Sequence, residues 1–290
     1  MSVLWLNGQI LDDSQGQVGA FDPGLLLGDG LFETIAAYDR RPFALPAHLD
    51  RLERSGRALG LAAFSREELE AAVFEALSHW DGGELQRVRV TLWRASDAAG
   101  LGAESRVCAS VIVSEGHGPL LGEPNLDLAR VVTSAYVRNE HSPLTGHKAT
   151  SFAENVHALR AAQAAGATEA VLFNSSGQLG EGSMSNVVLE SDGELVTPPL
   201  TSGCLPGITR AFALSVAEHL ALPFRQAEAG ELTRDKVERI VSGGGSAALL
   251  GTMRNLQHVE SWDSHALARG PVLQILERAM LAEMVALVSP

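Results

Sequence analysis

The stretch TGHKATSF, residues 145–152, contains Lys148, one of only two lysines among the chain's 22 basic residues; the other is Lys236. A solvated positive charge can be either arginine or lysine. Only the lysine amine can lose its proton in a desolvated or cationic pocket and then act as nucleophile, base or Schiff-base former. Four other stretches carry groups such an amine could work with. HLDRL places His48 and Arg51 three apart, on one face of a helix. GQLGEGSMSN sets Glu181 among small and polar residues, which leaves a carboxylate room to meet a ligand. GCLPGITR puts Pro206 and Gly207 just before a helix, so the amides of Ile208 and Thr209 point out of its N-terminus as an anion site. SGGGS, residues 242–246, is a glycine cluster whose amides could approach an anion, with Ser246 as a hydroxyl donor.

Each feature alone has an ordinary explanation. Lys148 could be a solvated loop residue, Arg51 could pair with Asp50 or Glu53, Glu181 could sit in a turn, and LPGITR could be a plain helix start. SGGGS has neither P-loop nor dinucleotide-fingerprint spacing, and the nine histidines form no HExxH pair, so nucleotide and metal chemistry are disfavoured. Together, an amine, a carboxylate, an arginine and a helix N-terminus are the parts needed to hold pyridoxal phosphate. That cofactor needs an amine for its aldehyde, an acid partner for its ring nitrogen and donors for its phosphate.

The elements that must position these groups read as an α+β arrangement. VLWLNG and LFETIAAYD predict strands around the turn-rich FDPGLLLGDG. PAHLDRLERSGRALG predicts a helix closing at Gly60, and Ser65 with Glu68 has capping-box spacing for a second. QRVRVTLW alternates strictly, with Val88, Val90 and Leu92 on one face and Arg87, Arg89 and Thr91 on the other. SEGHGPLLGEP reads as a connection, placing a boundary between a small N-terminal domain, 1–117, and a larger C-terminal cofactor-binding domain, 118–290. Beyond it, DLARVVTSAYV and EAVLFNSSGQLGEGSMSNVVLESDGELV predict strands; FAENVHALRAAQAAG, GITRAFALSVAEHLA and the last twenty residues predict helices.

Composition narrows the partners. A net charge of −13 argues against nucleic acid or an anionic membrane and favours a small molecule. Two distant cysteines, no long apolar run and no signal-peptide pattern predict a cytoplasmic protein.

The order and wording of GDGLFET, HLDRL, HKATSFAEN, AGATEAVLFNSSGQLGEGSMSN and TPPLTSGCLPGITR resemble the class IV aminotransferase family, the fold-type IV pyridoxal phosphate enzymes, over residues 3–255. The resemblance implies a small and a larger α/β domain with the active site between them, and a homodimer. It implies Lys148 as Schiff-base lysine and proton shuttle, and Glu181 as partner of the pyridine nitrogen. Arg51 would bind phosphate with the amides of Ile208 and Thr209, and with Ser246 in the last phosphate motif; His48 would support Arg51. Two departures stand out. Phe152 occupies the place of a tyrosine found in many relatives, and SGGGSAALLGTMR replaces the usual TGTA or TNSLMG.

The family contains branched-chain aminotransferases, D-amino acid transaminases and 4-amino-4-deoxychorismate lyases. The loop WRASDAAGLGAE lacks the arginine and histidine, two apart, with which D-amino acid transaminases hold the substrate carboxylate. HKATSFAEN, SPLTGHK and the chain length are closer to the lyase wording. The expectation is therefore aminodeoxychorismate lyase: Lys148 takes the proton from the amine-bearing carbon, the enolpyruvyl group leaves as pyruvate, and 4-aminobenzoate forms. The lyase's own arginine in that loop is also missing, which keeps a general class IV aminotransferase open. A non-catalytic pyridoxal phosphate-binding protein is the remote alternative.

Overall fold

The computed structural model describes residues 2–98, 100 and 104–288. The chain divides into two units: residues up to Leu120 with His147–Phe152, and Leu121–Gly146 with the residues from Ala153 onward. A boundary at 117/118 would place Lys148 in the second unit. The structure puts it in the first, because its segment pairs with a strand there.

The first unit is a six-stranded antiparallel sheet with helices. Its elements are β1 (Ser2–Leu6), β2 (Gln9–Leu11), α1 (Pro23–Leu26), β3 (Gly30–Tyr38), β4 (Arg41–Pro42), α2 (Leu45–Leu59), α3 (Arg66–Ser78), β5 (Leu85–Ala95) and β6 (Arg106–Glu115). The strand order is β2-β1-β6-β5-β3-β4. Register puts Glu33 opposite Val90, Val90 opposite Val111, and Val111 opposite Trp5, all buried on one face. There α2 packs on β3, and α3 on β1 and β6. The apolar stripe of α2, Leu45, Leu49 and Leu52, closes that layer. Gly60, at φ 68°, ends α2, and the Ser65–Glu68 capping box starts α3 as its spacing predicts. On the opposite face Leu4, Ile112, Arg89 and Thr34 share a row and are only half-buried.

The second unit is a nine-stranded mixed sheet. It runs through β7 (Ala129–Arg138), α4 (Ala153–Ala164), β8 (Glu169–Asn174), β9 (Leu179–Gly182), β10 (Asn186–Ser191), β11 (Glu194–Thr197), α5 (Ile208–His219), β12 (Phe224–Gln226), α6 (Arg234–Ser242), β13 (Ser246–Gly251), β14 (Asn255–Trp262), β15 (His265–Ala266) and α7 (Pro271–Val288). The order is β12-β11-β10-β13-β14-β7-β8-β9, with β15 beside β14. Neighbouring residues of its central strands are buried on opposite faces. Val187, Leu189 and Leu249 pack with Val237, Ile240 and Val241 of α6, while Val188, Ala248 and Leu250 pack with α5 and α7. Helical cover on both faces accounts for continuous apolar runs such as NVVL and AALL.

Among the described residues no helix is long and apolar enough to cross a membrane. The α+β class read from the sequence is the class observed; the short α6 and the β13–β14 hairpin are additions.

Candidate active site

Lys148 lies on a short extension of the first unit's sheet. The front of β3 has no neighbour on the β4 side, and residues 148–150 take that place, running antiparallel to it. Phe32 N–H donates to Lys148 O at 2.9 Å, and Thr150 N–H donates to Gly30 O at 2.8 Å. The approach needs a glycine: a side chain on Gly30 would stand 2.7 Å from Leu92 O and 2.8 Å from Thr150 Oγ1.

Because Leu31 opposes Ala149, Lys148 opposes Phe32, and the two side chains share a face. Lys148 Nζ lies 4.4 Å from the centre of the Phe32 ring and 5.3 Å from that of Phe152. The two rings meet edge to face at 5.6 Å. Phe152, which stands where many relatives have tyrosine, therefore adds an aromatic wall beside the amine and no hydroxyl.

The same Phe32 ring carries a second cation. The Arg89 guanidinium carbon lies 3.9 Å from its centre, and Arg89 Nε donates to Thr91 Oγ1 at 3.2 Å. Burial first, and the charge of Arg87 second, hold the Arg89 guanidinium below its ordinary pKa. Among the described residues no carboxylate pairs with Arg89.

Arg51 is on the other face. Its Nε and Nη2 donate to the two oxygens of Glu33 at 2.7 and 2.6 Å, and His48 Nδ1 is 2.7 Å from Glu33 Oε2. All three are buried. Burial pushes the Glu33 carboxyl up, but the Arg51 charge and the hydrogen bonds from His48 and Arg51 outweigh it and bring it down to about 2. The bidentate pairing uses two of the five N–H donors of Arg51. Asp50, offered as a partner on a solvated helix, instead pairs with Arg66.

In the second unit Glu181 is buried on β9. Leu205 N–H donates to its Oε2 at 2.8 Å, and Arg138 Nε stands 3.4 Å from Oε1. The serines after Glu181 serve the turn: Ser183 and Ser185 hydroxyls donate to Glu169, which has no solvent exposure and also pairs with Arg254 at 3.0 Å. Asn186 Nδ2 donates to Leu205 O at 2.9 Å. The segment from Leu205 to Gly207 thus joins Glu181 to the start of α5. Gly207 caps that helix with no side-chain acceptor for its first amides, and a side chain there would overlap Asn186 Oδ1.

The structure brings Glu181, Ile208 and Thr209 to one end of the strands. It does not bring Ser246. Asn186 opposes Leu250, whereas Ser246 opposes Glu190, four residues and roughly 13 Å along the strand. The hydroxyl at the Asn186 end is Thr252, in the turn after β13, tied to the Glu181 turn through Arg254 and Glu169. Its Gly251–Thr252 pair matches the GT of the TGTA motif, a register the glycine cluster obscured.

Arg89, Glu33, Arg138 and Thr252 are the residues sequence reasoning did not single out. Only Arg89 carried a local signal, an arginine on the polar row of an alternating strand. Of the loop WRASDAAGLGAE, residues 99 and 101–103 lie outside the described residues.

Comparison with known proteins points one way. The family profile for amino-transferase class IV matches residues 30–262. A branched-chain-amino-acid aminotransferase of Pseudomonas aeruginosa is 29% identical over 290 residues, covering 96% of this chain and 91% of its own. An aminodeoxychorismate lyase of Bacillus subtilis is 25% identical over 225 residues, covering 77% and 76%. The structure of the T.th. branched-chain amino acid aminotransferase complexed with N-(5'-phosphopyridoxyl)-L-glutamate superimposes with a TM-score of 0.83 at 25% identity, covering 98% and 94%.

Proposed function

This chain belongs to the class IV aminotransferase family of pyridoxal 5'-phosphate enzymes, and from that premise we propose that it moves the amino group of an apolar 2-amino acid to a 2-keto acid. The observation that carries the proposal is Arg89, a half-buried guanidinium that shares the Phe32 ring with Lys148 and has no carboxylate partner among the described residues. A desolvated cation without a counter-ion is costly, and the carboxylate of an amino acid or keto acid supplies one.

The donor set in each unit suits the cofactor. In the first, Lys148 is the amine for its aldehyde and Arg51 a donor for its phosphate. In the second, Glu181 is the acid partner of the ring nitrogen, the amides of Ile208 and Thr209 face phosphate, and Thr252 takes the place expected of Ser246. Gly207 leaves the helix start uncovered. Bound pyridoxal phosphate supplies the electron sink. Lys148 moves the proton at the substrate's 2-carbon, Arg89 orients the carboxylate, and the Phe32 and Phe152 rings exclude water around the amine. The homodimer implied by the resemblance belongs to this reading. It is supported by Phe21, Leu25 and Leu26, each more than half exposed.

The lyase expectation becomes the second reading. The HKATSFAEN wording and the Bacillus subtilis relative favour it, but the aminotransferase matches a longer share of the chain at higher identity. Absorbance of the loaded protein is recorded while L- and D-amino acids are added. Bleaching of the visible band by apolar L-amino acids, with keto acid released, supports the aminotransferase. A band that no amino acid alters, with pyruvate and 4-aminobenzoate formed from 4-amino-4-deoxychorismate, overturns it in favour of the lyase.

A further inference from the structure

Lys148 is anchored unevenly along its backbone. On its C-terminal side, Thr150 is tied twice, by its N–H to Gly30 O and by its hydroxyl to Gly28 O, both at 2.8 Å. The Ser151 hydroxyl adds longer bonds to Leu27 O and Gly28 O at 3.3 Å. On the N-terminal side, Gly146 has φ 81° and open space where a side chain would stand. The next residue, His147, sets its Nδ1 2.9 Å from the hydroxyl of Ser55. Ser55 is 3% exposed and lies on α2 one turn beyond Arg51, so both belong to one face of that helix.

We propose that His147 is a positioning residue for Lys148, its ring bonded to Ser55 so that the chain enters the lysine in one direction. The inference rests on the reading of Lys148 as the cofactor-bearing amine. The Lys148 side chain is long and flexible, and its aromatic walls are non-directional, so its base must be held from both sides for Nζ to return to one place. The C-terminal side is held by sheet-like pairing, and the N-terminal side by the His147–Ser55 hydrogen bond. The bond suits a fixed support, because a serine hydroxyl can donate to or accept from the imidazole nitrogen.

The test uses apo-protein and added pyridoxal 5'-phosphate. The capture rate is followed by absorbance, and the linked residue is identified by borohydride reduction and peptide mass. His147→Ala and Ser55→Ala each slow capture about tenfold, and the double variant loses no more than either single one, as for two halves of one interaction. His147→Asn, whose side-chain oxygen stands where Nδ1 did, recovers most of the rate; His147→Gln, whose oxygen sits farther out, does not. Wild-type capture by His147→Ala overturns the proposal. So does additive loss in the double variant, or equal loss in His147→Asn, since both mark general destabilisation. Lys148→Ala separates the two readings: undiminished capture there defeats the assignment of Lys148 itself, whereas capture lost there but unchanged in His147→Ala defeats only the role of His147.

Discussion

Arg51 and Arg89 flank β3, and they are held in opposite ways. Arg51 lies on the helix-covered face, forked onto the buried carboxylate of Glu33. Arg89 lies on the half-exposed face, against the Phe32 ring, with no carboxylate partner among the described residues. The first has a counter-ion supplied by the fold, and removing either partner would strand a buried charge. The second has only a π face and a threonine hydroxyl, and its attraction for an anion is still unspent. Burial of an arginine is therefore weak evidence of function. Burial without a counter-ion, beside a lysine, is much stronger.

Four experiments break or sharpen this contrast. The largest effect concerns the amine that shares Phe32 with Arg89: Lys148→Ala should lower turnover by about 10³-fold or more, and wild-type rates would remove the reason to regard that face as the reacting one. Next, Arg51→Met should lower the unfolding free energy by about 3–5 kcal/mol, measured by denaturant titration, because it leaves Glu33 buried and unpaired. The same pair gives a pH signature. Glu33 has its carboxyl lowered from 4.5 to about 2, so its contribution is complete above pH 4.5 and is lost as pH falls toward 2. The wild type should lose stability across that window, and Glu33→Gln, less stable throughout, should lack this part of the slope.

Third, Arg89→Met should change unfolding free energy by less than about 1 kcal/mol while raising KM for the amino donor roughly 10–100-fold. Destabilisation equal to that of Arg51→Met would erase the distinction. The smallest effect carries the contrast into the second unit. Thr252→Ala should weaken cofactor retention about tenfold in equilibrium dialysis, and Ser246→Ala by less than about twofold. The reverse order would restore Ser246 to the phosphate.

Much of the fold was legible because its signals are local. Strict alternation gave β5, the Ser65–Glu68 spacing gave the start of α3, and Gly60 gave the end of α2. The rare lysine pointed to Lys148 for a reason that survives inspection of its surroundings. What stayed hidden depends on pairing across the chain. Glu33 is fifteen and eighteen residues from its partners, and nothing in LFETIAAYD marks it as the seat of a buried ion pair. Residues 147–152 join the first unit because three of them extend β3, a match no local pattern reports. Ser246 was chosen because a glycine cluster attracts attention. Strand register decides the matter, and it puts Ser246 at the wrong end of β13.

The neighbours Phe32 and Glu33 point to opposite sides of one strand, and everything described around Lys148 hangs on that parity. Loss of a single codon between Leu31 and Glu33 would exchange the two sides, setting a carboxylate under the lysine and a benzyl ring under Arg51. Length changes in the genetic record of this protein should therefore be tolerated in the connection before α1 and purged from these three positions. The reading frame of one strand, more than the identity of its residues, is what inheritance has to protect here.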